Sequence, residues 1–363
     1  MVVTPYNSST DLWYMNFQNK TGYLIEMYGG RSIVAFIALI FNLAIVYVTL
    51  VKNLKNLETS RLLKNLLHIV IKIKLLKTLM SISLHSCCQI LIALESFFGI
   101  FLNLNYFVSF ILALIGQPFI KYATCFSIQI LSNITGNGAQ ITMVLIGIDR
   151  LFAVKLPIWY KNRSAKTFVF LVMVIEILYA SYQLFLYLNA FADTDGETLV
   201  TCSVYDTGRG SWSVIMYFNS IILSGILMIT YISIWFLVFL RKSTGNVSSS
   251  NRRIIKSLII IIILNMIGVF INNALRQLYN FVTVDVVTKN FITFINSHFN
   301  IIAYSSNAPV LYFFTEKYHA AFNDCFPFLK KLNCISSTTV TSTNDVYPRL
   351  PKNVNRPLAV INS

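Results

Sequence analysis

The sequence predicts an all-α membrane protein: a bundle of seven transmembrane helices, with the N-terminus outside and a short amphipathic helix after the seventh span. Three observations predict it. The 363 residues are 56% hydrophobic and only 12% charged, where a soluble domain carries about 25% charged residues. Seven stretches reach the roughly 20 apolar residues that a helix needs to cross the hydrocarbon core. The basic residues then fall between those stretches with an alternating bias. Mean hydropathy is +0.65. This composition excludes a soluble enzyme, a disordered chain and a nucleic-acid-binding protein, even with a net charge of +15.

The first span, Ser32–Val51, is uncharged. The others run Leu84–Leu112, Tyr122–Val154, Thr167–Phe191, Ser211–Leu240, Ile254–Leu278 and Phe291–Phe314. Segment 1–31 ahead of them is polar and aromatic, without the basic-then-apolar order of a cleavable signal peptide. With that segment outside, the inner stretches hold 23 of the 29 Lys and Arg residues and the outer ones hold 6. The positive-inside rule therefore sets the orientation. Sequons at Asn7 and Asn19 lie in 1–31 and are glycosylation candidates. Sequons at Asn162 and Asn246 fall in inner loops and Asn133 lies inside a span, so those three are chance matches. The membrane domain covers 32–314 and a juxtamembrane helix 315–335. Residues 336–363, rich in Ser, Thr, Asn and Pro, read as a disordered cytoplasmic tail, phosphorylated or simply solvated.

The inner end of the third span reads GIDRLFAVKLPIWY, Gly147–Tyr160. This resembles the Asp-Arg-aromatic signature of rhodopsin-like G-protein-coupled receptors, with Pro157 and Tyr160 at the family's distances from Arg150. Cys125 lies 25 residues before Arg150, about 37 Å of helix, which puts the two on opposite membrane faces. The seventh span ends in NAPVLYFFTEKYHAAF, where Asn307, Pro309 and Tyr312 resemble the family's Asn-Pro-x-x-Tyr element with the asparagine displaced by one. Thr315–Phe322 resembles the amphipathic helix that follows it, with Tyr318 as its aromatic. Tyr231, ten residues before Arg241, and Asn42 in the first span match further positions. Together with ILIALESFF in the second span, these motifs are most similar to the nematode serpentine chemoreceptors of the srsx-like branch.

The resemblance implies a chemosensory receptor that binds a small external ligand and activates a heterotrimeric G protein. Asp149, Arg150, Tyr231, Asn307, Pro309 and Tyr312 would carry that activation. It also implies a disulfide between Cys125 and Cys202, and makes Cys325 and Cys334 palmitoylation candidates. Arg150 would be held at rest by an ion pair or a carbonyl contact. The implied ligand site lies among the outer halves of the third, fifth, sixth and seventh spans, where Asn219, Asn272, Asn273, Gln277, Asn296 and His298 are polar. Such amides also pair helix to helix. Outer segments balance six basic against seven acidic residues, which favours a small, mostly neutral or volatile ligand. Membrane lipid is a partner; no cofactor, metal or nucleic acid is implied. Departures exist. Gly99 stands where the second span usually has an aspartate, leaving Glu95 one turn earlier, so the resemblance does not carry an allosteric sodium site over to this chain. The sixth span lacks its tryptophan and proline, the fifth its proline, and Leu151 replaces an aromatic.

The competing reading is a transporter or channel. It would call for internal repeats and midplane charges, yet only Glu95 and Glu176 lie well inside a span. An enzyme is disfavoured because the four histidines are scattered and no nucleophile motif occurs. One stretch fits no span. Residues 57–82, with LLKNLLHIVIKIKLLKTLM, are apolar but interrupted by Lys64, Lys72, Lys74 and Lys77. They form either an interfacial helix in a long basic first inner loop or an unspliced insertion. Deleting them restores the short first loop of the relatives, so mature transcripts sequenced across Val51–Leu84 are expected to lack this stretch. An abundant message that retains it would establish the interfacial helix instead.

Overall fold

Helix α1, Thr21–Glu58, shows how the chain sorts its side chains. Ala35, Ala38, Asn42, Ile45 and Thr49, at steps of three and four, are buried, while Ile33, Phe36, Ile37, Ile40, Leu43 and Tyr47 are exposed. In water such an apolar face would be an aggregation hazard; here it is the surface offered to lipid. The computed structural model describes residues 21–58, 87–203, 206–208, 211–243, 260, 263–264, 268, 270–281 and 286–329. The chain divides into two units, Met1–Phe322 and Asn323–Ser363. Of the second, the described residues 323–329 are helical except at Phe326.

The first unit continues with α2 (Cys87–Leu114), β1 (Ile120–Lys121), α3 (Tyr122–Lys155), α4 (Pro157–Asn162), α5 (Ala165–Ala192), β2 (Leu199–Val200) and α6 (Trp212–Ser243). It ends with α7 (Ile271–Phe281), α8 (Val286–Ser305), α9 (Asn307–Phe314) and α10 (Glu316–Cys325), whose last three residues open the second unit. Packing runs α1 on α2, α2 on α3, α3 on α6, α6 on α7, α7 on α8 and α8 back on α1. α5 meets α2, α3 and α6, so that it closes the outer ring between α2 and α6 and leaves α3 inside. Small Ala35 and Ala38 share a buried cluster with Leu102 and Tyr106 of α2, the close approach that joins helices in lipid.

Among the described residues, four helices are long and apolar enough to cross a membrane: Gly22–Leu50, Cys88–Leu114, Lys166–Ala192 and Trp212–Leu237. At 34 residues α3 has the length as well. Its hydropathy is lowered by Gln129, Asn133, Gln140, Thr142 and Asp149, all buried against protein. The sixth expected span lies mostly outside the described residues, and α7 carries its end.

Boundaries differ from the sequence reading most at the first and seventh spans, where α1 runs on to Glu58, past Val51, and α8 begins at Val286, ahead of Phe291. α1 begins at Thr21, not Ser32, because Arg31 does not end the helix; it is 2% exposed and packs on aromatic rings. The seventh span is broken at Ser306 into α8 and α9. Pro309 has no N–H for the Ser305 carbonyl, so the helix restarts, with the Val310 amide donating to Ser306 O at 3.1 Å.

At one end of the bundle, β1 and β2 pair antiparallel, Ile120 opposite Val200 and Lys121 opposite Leu199. Just beyond β2, Cys202 is disulfide-bonded to Cys125 of α3. Cys202 has φ of +52°, a left-handed conformation that a cysteine adopts only when held. Its carbonyl is held twice, by Gln129 Nε2 at 2.7 Å and Ser109 Oγ at 2.8 Å. Cys202→Ser should therefore lower stability by about 2–4 kcal/mol, read as a lower thermal midpoint of the purified protein. An unchanged midpoint would contradict this role.

Candidate functional site

Beneath the disulfide end lies a cavity of about 100 Å³, walled by α2, α3, α5, α6, α7, α8 and the loop before α6. Among the described residues, its polar wall is made of amides, hydroxyls and phenols, and holds no charged residue. On α3, Asn133, Asn137 and Gln140 follow one another at helical spacing. Asn133 Nδ2 donates to Thr207 Oγ1 at 2.8 Å, tying the loop down. Asn137 Nδ2 meets the Tyr187 hydroxyl at 3.2 Å. Gln140 Nε2 donates to Ser220 O at 2.8 Å and to Ser224 Oγ at 3.1 Å. Ser220 Oγ returns a bond to Gln140 Oε1 at 2.7 Å and accepts one from Asn273 Nδ2 at 2.6 Å. Three helices thus meet at the Ser220 hydroxyl. Asn300 also lines the cavity; it is buried and its Oδ1 has no partner among the described residues.

Of the residues predicted for a ligand site, Asn272 and Asn273 line this cavity. Asn296 lies one bond behind, its Nδ2 donating to Asn272 Oδ1 at 3.0 Å. Asn219 instead reaches the Tyr182 hydroxyl at 2.8 Å, and His298 bonds Phe294 O within its own helix at 3.0 Å. The side chain of Gln277 lies outside the described residues, as do Asn7, Asn19 and Cys334. Cys325 is a half-buried free thiol. Sequence reasoning missed Asn137, Gln140, Thr207, Ser220 and Asn300. The stripe Gln129, Asn133, Asn137, Gln140 on an otherwise apolar helix was the available signal.

The far end of α3 carries a second polar group. Asp149 is fully buried and accepts from Arg163 Nη2 and from the Tyr160 hydroxyl at 3.0 Å. The Arg163 guanidinium also sits 4.1 Å from the Tyr160 ring and 4.0 Å from that of Phe168. Burial and the Asp149 charge push the Tyr160 phenol up, so it stays a neutral donor. Arg150 is therefore not held by its neighbour Asp149; its Nε donates to Cys88 Sγ on α2 at 2.9 Å. The chain places Asp149 and Arg150 side by side but gives them different partners.

Between the two ends, Asn307 donates to Glu95, both buried, and joins α9 to α2. One turn beyond Glu95, Asn42 of α1 lies against Gly99, where a Cβ would come 2.7 Å from its Nδ2. The missing side chain at Gly99 is what admits that amide. Glu176, for which no partner was foreseen, meets Thr142 Oγ1 at 2.6 Å. Tyr231 is buried against Gly147, and the Tyr312 ring packs on those of His319 and Phe322. Among the described residues, no His, Cys, Asp or Glu group could hold a metal ion.

The Asp149–Arg163 pair generates a stability prediction. Both side chains are buried, 0% and 9% exposed. Arg163→Ala strands a carboxylate and should cost about 3–5 kcal/mol. Adding Asp149→Asn should recover part of that loss in the same thermal unfolding assay; a double variant as unstable as the single one would refute the pairing.

Residues 72–326, well over half of the chain, match the family model described as Serpentine type 7TM GPCR chemoreceptor Srsx. The match begins within the basic stretch 57–82 and leaves α1 ahead of it. No curated protein matches the chain.

Proposed function

The chain belongs to this chemoreceptor family, and on that premise we propose that it binds a small uncharged ligand in the cavity and activates a heterotrimeric G protein through Arg150. Membership makes it a multi-pass membrane protein of a receptor family and not of an enzyme class. The reading beyond that rests chiefly on the cavity wall, which among the described residues has many hydrogen-bonding groups, no charge, and one unmet acceptor, Asn300 Oδ1. A wall without a counter-ion disfavours ammonium and carboxylate ligands, because a buried charge needs a partner. The volume is below the roughly 300–1,000 Å³ of drug-sized pockets. The ligand is therefore small and neutral, and carries a hydroxyl or N–H to meet Asn300.

In this reading the cavity end faces outward, as the distribution of basic residues indicates, and the protein works at the plasma membrane, in the sensory cilium of a chemosensory cell. α3 connects the ligand to Arg150 along one continuous helix. Ligand contact with Gln140 competes with its bonds to Ser220 and Ser224, and so changes how α3 meets α6. On the inner side, movement of α2 from α3 breaks the Cys88 contact and frees Arg150 to meet the Gα subunit. Asn307, Pro309 and Tyr312 set the inner end of the seventh span in the same step. Asn7 and Asn19 carry glycans outside, and Cys325 and Cys334 are acylation sites inside.

The test is G-protein activation in cells expressing the full chain, challenged with small neutral alcohols and primary amides, with ketones as controls that lack a donor. Arg150→Ala should abolish a cue-dependent signal at equal surface expression. Asn300→Leu should raise the half-maximal cue concentration about three- to tenfold, the loss of one hydrogen bond. A signal that survives Arg150→Ala would sink the coupling role, and one indifferent to Asn300→Leu would sink the cavity assignment.

A further inference from the structure

Arg31 is a cation for which the fold so far gives no reason. It lies on α1 and is 2% exposed. Its guanidinium carbon is 5.0 Å from the ring centroid of Tyr28, one turn earlier, and 5.1 Å from that of Tyr106 on α2. Both rings are buried. Ser32 Oγ donates to Tyr106 O at 3.3 Å and fixes the two helices together at this level. The rings hold the guanidinium in place but leave its edge unanswered: Nε and Nη2 are buried and have no hydrogen-bond partner among the described residues.

Those two nitrogens are adjacent and carry the parallel N–H groups of the side-on fork, which matches two oxygens of one carboxylate or phosphate. Arginine cannot relieve its burial by losing a proton. A buried, unpaired charge is strongly unfavourable, and an ionised residue within a membrane helix marks a site whose partner is to be named. Neither salt bridge among the described residues includes Arg31. Asp206 accepts from Thr201 Oγ1 at 3.0 Å and from the Ser203 amide at 2.9 Å. Arg31 is also absent from the cavity wall.

We propose that the Arg31 fork binds an oxyanion, presented edge-on between α1 and α2 beside Tyr28 and Tyr106. Its shared chemistry is two oxygens on one anionic centre, supplied by the carboxylate of a small organic acid or by a lipid headgroup phosphate. This site is separate from the neutral cavity, so an acid and a neutral ligand do not compete for the same groups.

The experiment uses the full chain in maltoside micelles, which carry no phosphate, titrated with propanoate at constant ionic strength, with chloride and propanamide as controls. The expected result is a saturable rise in the unfolding midpoint of about 2–4 °C with propanoate alone. The rise should vanish in Arg31→Gln and shrink in Arg31→Lys, which keeps the charge but loses the fork. If Arg31→Gln does not fold, Arg31→Lys carries the comparison. A second arm adds phosphatidylglycerol to the micelles; an Arg31-dependent rise there, with none from propanoate, assigns the headgroup as the source. The proposal is overturned if neither anion moves the midpoint, or if Arg31→Gln responds as the native chain does. It is equally overturned if Asp11→Asn or Asp285→Asn reproduces the effect of Arg31→Gln, since the chain would then supply its own carboxylate.

Discussion

A polar side chain on a membrane helix must find its partner inside the protein, because lipid offers none. That constraint falls most heavily on α3. Gln129, Asn133, Gln140, Thr142 and Asp149 are all buried along it, and each is answered by a different neighbour. Gln129 takes the Cys202 carbonyl, Asn133 takes Thr207, and Gln140 takes Ser220 and Ser224 of α6. Thr142 takes Glu176 of α5, and Asp149 takes Arg163 beyond α4. Each pairing fixes one element against the central helix. With little hydrophobic force to press helices together in lipid, these bonds and the small-residue contacts of α1 specify the ring.

How much of this was legible in the sequence follows from the same constraint. Lipid-facing helices announce themselves by hydropathy, so α2, α5 and α6 fall within a few residues of their expected bounds. α3 is less apolar than α2, α5 and α6 because it is more enclosed, yet it still read as an apolar stretch, and its motif fixed its inner end. Arg31 misled the boundary of α1, since a charge in sequence reads as the edge of a span; only the packing of Tyr28 and Tyr106 shows that it lies within the helix. The break at Ser306 was written in Pro309, whose missing N–H acts on the carbonyl four residues earlier.

The site was harder to read. An asparagine in a span looks the same whether it lines a cavity, like Asn273, or caps a neighbour's phenol, like Asn219. Which occurs depends on where helices distant in sequence cross, and periodicity does not contain that. Asp149 and Arg150 illustrate the limit at its sharpest. Adjacent residues point about 100° apart on a helix, so a dipeptide that reads as one ion pair instead faces two neighbours, Arg163 and Cys88.

The two ends of α3 differ in how readily their bonds exchange. Asp149 and Arg163 form a buried ionic pair, with Tyr160 as a second donor, and that pair is costly to open. The Gln140 cluster is neutral and degenerate: its amide reaches two acceptors on α6, and Ser220 is shared with Asn273. A hydroxyl or amide from a ligand can replace one of these bonds with another of similar strength, so the exchange costs little. The Arg150–Cys88 contact is weaker still in kind, because a thiol is a poor acceptor beside a carboxylate. The proposed switch thus has a rigid anchor at Asp149 and exchangeable contacts on either side of it. A receptor built this way can shift α6 and α2 about α3 without breaking the ion pair that holds α3 in place.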